Sequence, residues 1–112
     1  MMAVNKRRGE VPVELDGRQY RLRLTLGALA ELEAAYEADD LGALVERFSR
    51  GRLSAGDLIR VLGAGLRGAG HDIADDAVAR MAAAGGAAAL VKAVAGVLTA
   101  TFGTTTGDPA NP

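Results

Sequence analysis

Between Ser54 and Asp72 the chain reads Ser-Ala-Gly-Asp-Leu-Ile-Arg-Val-Leu-Gly-Ala-Gly-Leu-Arg-Gly-Ala-Gly-His-Asp, a stretch that marks both of its own ends. Ser54 can accept from the free N–H groups of a first helical turn, and Asp57 three residues on completes a capping-box-like start, with Asp a shorter stand-in for Glu or Gln. Gly70 supplies a left-handed stop. Between them Leu58, Ile59, Leu62 and Leu66 fall on one stripe, so the helix must face a core. The constraint lies in the glycines. Gly63, Gly65 and Gly68 each cost about 1 kcal/mol against Ala in a helix interior, about 3 kcal/mol together, which a small fold carries only for a return. Two returns are open: close packing of a neighbouring helix, or a surface that another chain can approach. Either way the rest of the chain is expected to pack on this helix.

The chain has 112 residues, enough for one domain with a modest core. Its hydrophobic fraction of 49% comes with only 4% aromatic residues, which favours helices packed through small side chains. Without Cys there is no disulfide framework, thiolate metal site or cysteine nucleophile, and a cytoplasmic location is expected. The first 25 residues hold six basic and three acidic side chains, the remainder seven and eleven, so a basic head precedes an acidic body. The longest apolar run, near Gly85 to Leu90, is too short to span a membrane. The start, Met-Met-Ala-Val-Asn-Lys-Arg-Arg-Gly, lacks the apolar core that follows the charges in a signal peptide.

In order, the pattern is mainly α: an N-terminal β-hairpin followed by a small bundle of about five short helices. Residues 1–9 read as a flexible lead, 10–103 as one hairpin-plus-helices domain and 104–112 as a disordered tail. Asp16-Gly17 is a two-residue turn signal between alternating flanks. The loop length then fixes Leu15 opposite Arg18, Val13 opposite Tyr20 and Val11 opposite Leu22. The other side, with Glu14 opposite Gln19, Pro12 opposite Arg21 and Glu10 opposite Arg23, reads as wet, and Pro12 places the first strand at an edge. Thr25 caps a helix from Leu26 to about Ala38 with Leu26, Leu29, Leu32 and Tyr36 inward. Asp39-Asp40 starts a helix with the stripe Leu41, Leu44, Val45 and Phe48, closed by Gly51. Leu53 can staple against Leu58. A short helix begins near Asp75, with Val78 and Met81 inward, until Gly85-Gly86 breaks it. The last helix runs from about Ala87 to Phe102 with Leu90, Val91, Val94, Val97, Leu98 and Phe102 on a broad stripe and Lys92 its one charge. Such a face needs cover.

Candidates for chemistry are few. Asp39-Asp40 and Asp75-Asp76 lie at helix starts, where acidic residues complement the dipole. His71 beside Asp72 has no nucleophile or further ligands nearby in sequence and reads as a loop histidine. The glycines from Gly63 to Gly70 lack the Gly-Lys-Ser/Thr ending of a phosphate loop. Lys6, Arg7 and Arg8 read as a solvated cluster, with no aromatic platform for nucleic acid. The expectation is a protein that is not an enzyme, with no cofactor, no metal, no nucleic acid and no membrane partner.

Taken as an ordered set, Arg-Arg-Gly-Glu-Val, Leu-Asp-Gly-Arg, Leu-Thr-Leu-Gly-Ala-Leu-Ala-Glu-Leu-Glu, Leu-Ser-Ala-Gly-Asp-Leu-Ile-Arg and Gly-Ala-Gly-Leu-Arg-Gly-Ala-Gly-His-Asp resemble the small gene-transfer-agent family of tailed-phage-like particles. That resemblance implies a phage tail assembly chaperone that covers the tape-measure protein during tail assembly, although the family has also been labelled a tail tube protein. The expected partners are the tape-measure or other tail proteins, with a homo-oligomer left open. The expected contact face is the last helix through Leu90, Val94, Val97 and Leu98, with the Gly63 to Leu66 surface beside it. The alternative is a structural tail component, tube or minor tail, retained in the particle, its hairpin adding edge to edge between subunits.

Overall fold

A computed structural model describes residues 9–50 and 52–103. They form β1 (Val11–Leu15), β2 (Arg18–Leu22), α1 (Leu26–Tyr36), α2 (Leu41–Ser49), α3 (Ala55–Gly68), α4 (Asp75–Val78) and α5 (Gly86–Phe102), the mainly helical hairpin-plus-five-helices architecture that the pattern implies. The lead through Arg8, the Gly51 stop and the 104–112 tail lie outside the described residues.

The hairpin has the register that its turn dictates, with Leu15 on Arg18, Val13 on Tyr20 and Val11 on Leu22. Asp16 and Gly17 both have positive φ, 53° and 77°, as a type I′ turn requires. Val13, Leu15 and Leu22 are buried, so one face of the ribbon enters the core. Both edges are in use. The Arg21 N–H points away from β1 towards His71 Nε2 at 3.4 Å, which makes Pro12 and Arg21 a pair without mutual hydrogen bonds. The N–H that Pro12 lacks would therefore have pointed outward, where no ladder bond is lost. Further along the outer edge of β1, Leu15 forms a bridge with Ala83, the Asp16 N–H donates to the Ala82 carbonyl at 2.8 Å, and the Asp16 carboxylate accepts from the Ala82 N–H at 3.0 Å.

The helix ends follow the caps legible in the sequence. Thr25 accepts from Ala28 N–H and Asp40 from Ala43 N–H. Ser54 and Asp57 form the full reciprocal capping box. At the other end of α3, Gly70 has φ +98°; its N–H donates to Arg67 and that of His71 to Leu66, the paired bonds of a Schellman stop.

Helix α3 is the centre of the molecule. Val61 to Leu66 are six consecutive buried residues, a wider arc than the Leu58, Ile59, Leu62, Leu66 stripe, because neighbours lie on several sides. Its glycines are close-approach points for the chain itself, chiefly for a strand end rather than for another helix. A Cβ on Gly68 would overlap the Arg23 carbonyl, one on Gly65 would press on Leu22 Cβ at 3.2 Å, and one on Gly63 would overlap the Asp75 carboxylate. The Gly65 carbonyl accepts from the Arg23 N–H at 2.9 Å, so the exit of β2 is bonded to the helix backbone. Arg67 holds the Gly63 side: it donates to Asp75 at 3.1 Å, to the Ile73 carbonyl at 2.8 Å and to Glu31 at 2.6 Å.

Four local expectations are corrected. Leu26 is 80% exposed, because the inward arc of α1 centres on Ala28, Leu29 and Leu32 and Leu26 stands about 120° from Leu32 at 100° per residue. Leu41 is also exposed; Leu44 and Phe48 take the inward positions of α2, and Leu41 lies a turn nearer the exposed Asp39-Asp40 loop. Glu10 is buried rather than wet, 4% exposed, and pairs with Arg21 at 3.4 Å instead of Arg23, because the ladder ends at Val11 and Leu22 and does not bring Glu10 opposite Arg23. Helix α4 stops after one turn at Val78, since the chain that follows is drawn out to pair with Leu15.

The seating of β2 on α3 gives a two-sided expectation. Gly68→Ala should destabilise by about 1–3 kcal/mol in urea unfolding although Ala is the better helix former. Gly56→Ala in the first turn should stabilise by about 0.5–1 kcal/mol, because its Cβ meets only Arg60 Nη1 at 3.6 Å and Ser54 Oγ at 3.7 Å. Equal stabilisation by both would refute the seating.

Candidate interaction surface

The 17 residues of α5 carry one charge, Lys92. Ala93, Val94, Val97 and Leu98 are buried, yet the apolar stripe from Val97 through Val94 to Phe102 spans about 140° at 100° per residue, more than one packed face needs. Its overhanging edge is Val91, 42% exposed, with exposed Ala87, Ala88 and Ala95 beside it. Facing this edge, Val45, Phe48 and Leu53 complete a groove of about 220 Å³ with Val91, Ala95, Leu98 and Phe102; Ser49 and Thr99 bring its hydroxyls. On the other flank of α5 a second groove, about 410 Å³, runs between Ala89, Ala93 and Gly96 and the β1 residues Val11 to Glu14.

The α2 wall of the first groove is set by a polar node. Asp57, 6% exposed, accepts from the Tyr36 hydroxyl at 2.5 Å and from the Ser54 N–H at 2.9 Å, and lies 3.5 Å from Arg47 of α2. Arg47 also stacks 4.2 Å from the Tyr36 ring centroid, and Phe48 meets that ring edge-on at 5.5 Å. Burial alone would raise the Asp57 carboxyl, but the bonds from Tyr36 and Ser54 and the charge of Arg47 outweigh it and hold it below its ordinary 3.8. Burial, and donation to that carboxylate, raise the Tyr36 hydroxyl above its ordinary 10.0. One buried carboxylate thus ties α1, α2 and α3 together.

The expected contact residues take other places. Leu66, Val94 and Val97 are completely buried, Gly63 is buried against α4, and Leu90 is half-buried against the core. Leu98, 9% exposed, alone of the six lines the α2–α5 groove. The reason is that the fold covers the centre of the α5 stripe itself, with β1 and α3, and leaves only its margin. Val45, Phe48, Leu53 and Val91 were not singled out as contacts; the excess width of the stripe is the signal that points to the margin. Of the acidic residues read as helix starts, Asp40 caps α2, whereas α4 has no side-chain cap and Asp75 in its first turn pairs with Arg67. Among the described residues no group of His, Asp and Glu could hold a metal ion, and no helix is long and apolar enough to cross a membrane.

The fold and this mainly apolar groove, with Phe48 and Phe102 in its walls, define the class of a small, mainly helical protein with an open apolar groove. Residues 8–104 match the family described as phage tail tube protein, GTA-gp10, and the chain belongs to that gene-transfer-agent family of phage tail proteins. No curated protein matches it, and no solved structure does.

Two measurements follow. Val91→Asp should leave stability within about 0.5 kcal/mol of wild type, whereas Val94→Asp, which buries an unpaired carboxylate, should cost about 4 kcal/mol or more and unfold the chain; circular dichroism melts separate them. Because the folded value of Asp57 is depressed, its contribution is full above about pH 4 and is lost as pH falls through the folded value. The acid limb of a stability profile should therefore be flatter in Asp57→Asn than in wild type, from a lower neutral plateau.

Proposed function

We propose that the chain is a structural subunit of the tail of a gene-transfer-agent particle, retained there by its contacts with other tail proteins. The observation that carries this reading is the family match over residues 8–104, whose description is a tail tube protein. The margin of α5 and the α2–α5 groove supply the apolar contact surface. The hairpin is not the joint in this reading, since Ala82 and Ala83 take the β1 edge at Leu15 and Asp16, Pro12 lacks an N–H to offer there, and Gly65 takes the Arg23 amide on the β2 edge. The role is non-catalytic, and the subunit is made and loaded in the cytoplasm of the producing cell.

A second reading, an assembly chaperone for the tape-measure protein, is favoured by one observation. The sheet among the described residues is a single two-stranded hairpin, where a self-standing wall calls for more strands. Here the same groove would shelter apolar helix faces of the tape-measure protein until the tube encloses them.

Quantitative mass spectrometry of purified particles decides between the two. The structural reading expects the chain in fixed proportion to the other tail proteins. Its absence from particles, with recovery bound to tape-measure protein from producing cells, would establish the chaperone reading instead. In either case Val91→Asp should weaken recovery with the tail partner while the chain stays folded.

A further inference from the structure

His71 sits where the end of α3 meets the outer edge of the hairpin. Its backbone is fixed by the Schellman stop, its N–H bonded to Leu66 O at 2.9 Å. Its ring meets Tyr20 edge-on at 5.1 Å between centroids, and Nε2 faces the Arg21 backbone N–H at 3.4 Å. Arg21 N–H is an edge donor with no strand beyond it, and a bare imidazole nitrogen is what takes it. We infer that His71 is a proton-sensitive latch on the β2 edge: with Nε2 bare it holds the Arg21 amide, and with Nε2 protonated it releases that amide.

The geometry permits no other sense of the switch. For Nε2 to accept, the neutral ring must carry its proton on Nδ1. A proton added to Nε2 places one donor against another and a second positive charge beside the Arg21 side chain. From β2 the groups facing the ring are Arg21 and Tyr20. Arg21 is paired with Glu10 at 3.4 Å, while its Nε is buried without a hydrogen-bond partner among the described residues. On the loop itself Asp72 is exposed, and at the end of α3 Arg67 is turned to Glu31 and Asp75. The charge that acts on the ring is therefore a cation, that of Arg21. Burial first, and the Arg21 charge second, hold the imidazole below its ordinary 6.5. The latch is accordingly closed above about pH 6.5 and lost as pH falls through the lower folded value. Release is local, because the next outward amide, Arg23 N–H, is held by the Gly65 carbonyl at 2.9 Å, which does not titrate.

The test is amide hydrogen exchange followed by NMR at about pH 7.5 and at a pH below the midpoint at which the His71 ring protons titrate, each rate normalised to its intrinsic chemistry. On acidification Arg21 should lose about tenfold in protection while Arg23 keeps its own. The Arg21 amide shift should titrate with the same midpoint as the His71 ring protons. In His71→Gln, which keeps an acceptor and cannot titrate, Arg21 protection should be the same at both pH values. Unchanged Arg21 protection in the wild type, an equal loss at Arg23, or two different midpoints overturns the inference. The comparison of Arg21 with Arg23 needs no variant, so it stands even if His71→Gln folds poorly.

Discussion

The contact on which the rest of the structure depends is backbone on backbone: the exit of β2 against the glycine side of α3. A lone two-stranded hairpin is marginal in water, and a 14-residue helix with four glycines is weak for its length. Each supplies what the other lacks. Gly65 and Gly68 let the strand end come close enough for Arg23 N–H to bond the Gly65 carbonyl, and the strand delivers Leu22, completely buried, onto the helix. Gly63 repeats the arrangement one turn earlier, where the space goes to the Asp75 carboxylate and the Arg67 bonds that fasten α4 and α1.

What the sequence disclosed was local in its physics. Turn chemistry set the register, since Asp16-Gly17 admits only one pairing of the flanks, and the caps at Thr25, Asp40, Ser54 and Gly70 set the helix ends because their bonds close within a few residues. What stayed hidden depends on where distant elements lie. Leu26 and Leu41 carry the right residue type for a core but stand in first turns rotated or displaced from it. Glu10 reads as a solvated strand residue, but the ladder stops one residue short of it and its carboxylate is buried against Arg21. Asp57 was legible as half of a capping box, yet its second oxygen, which joins Tyr36 and Arg47, belongs to tertiary structure.

The contact surface follows the same division. An apolar stripe on α5 was plain from spacing, and residues at its centre, Val94 and Val97, were the natural choice for a partner. Centre and margin exchange roles once the helix docks. The chain's own sheet and α3 take the centre, and the apolar residues left at the open groove are Val91 and those across it on α2. Membership in a phage tail family fits such a margin, for subunits of an assembly must first fold alone and then still have apolar surface to give.

Pro12 has a consequence beyond its own strand. An unprotected strand edge is a template on which identical chains can stack, and the outcome of such stacking is cross-β aggregate rather than an ordered particle. Pro12 withholds an N–H from the part of the β1 edge that the Ala82–Ala83 segment does not reach. Copies brought close together are thereby denied the shortest route to polymerisation.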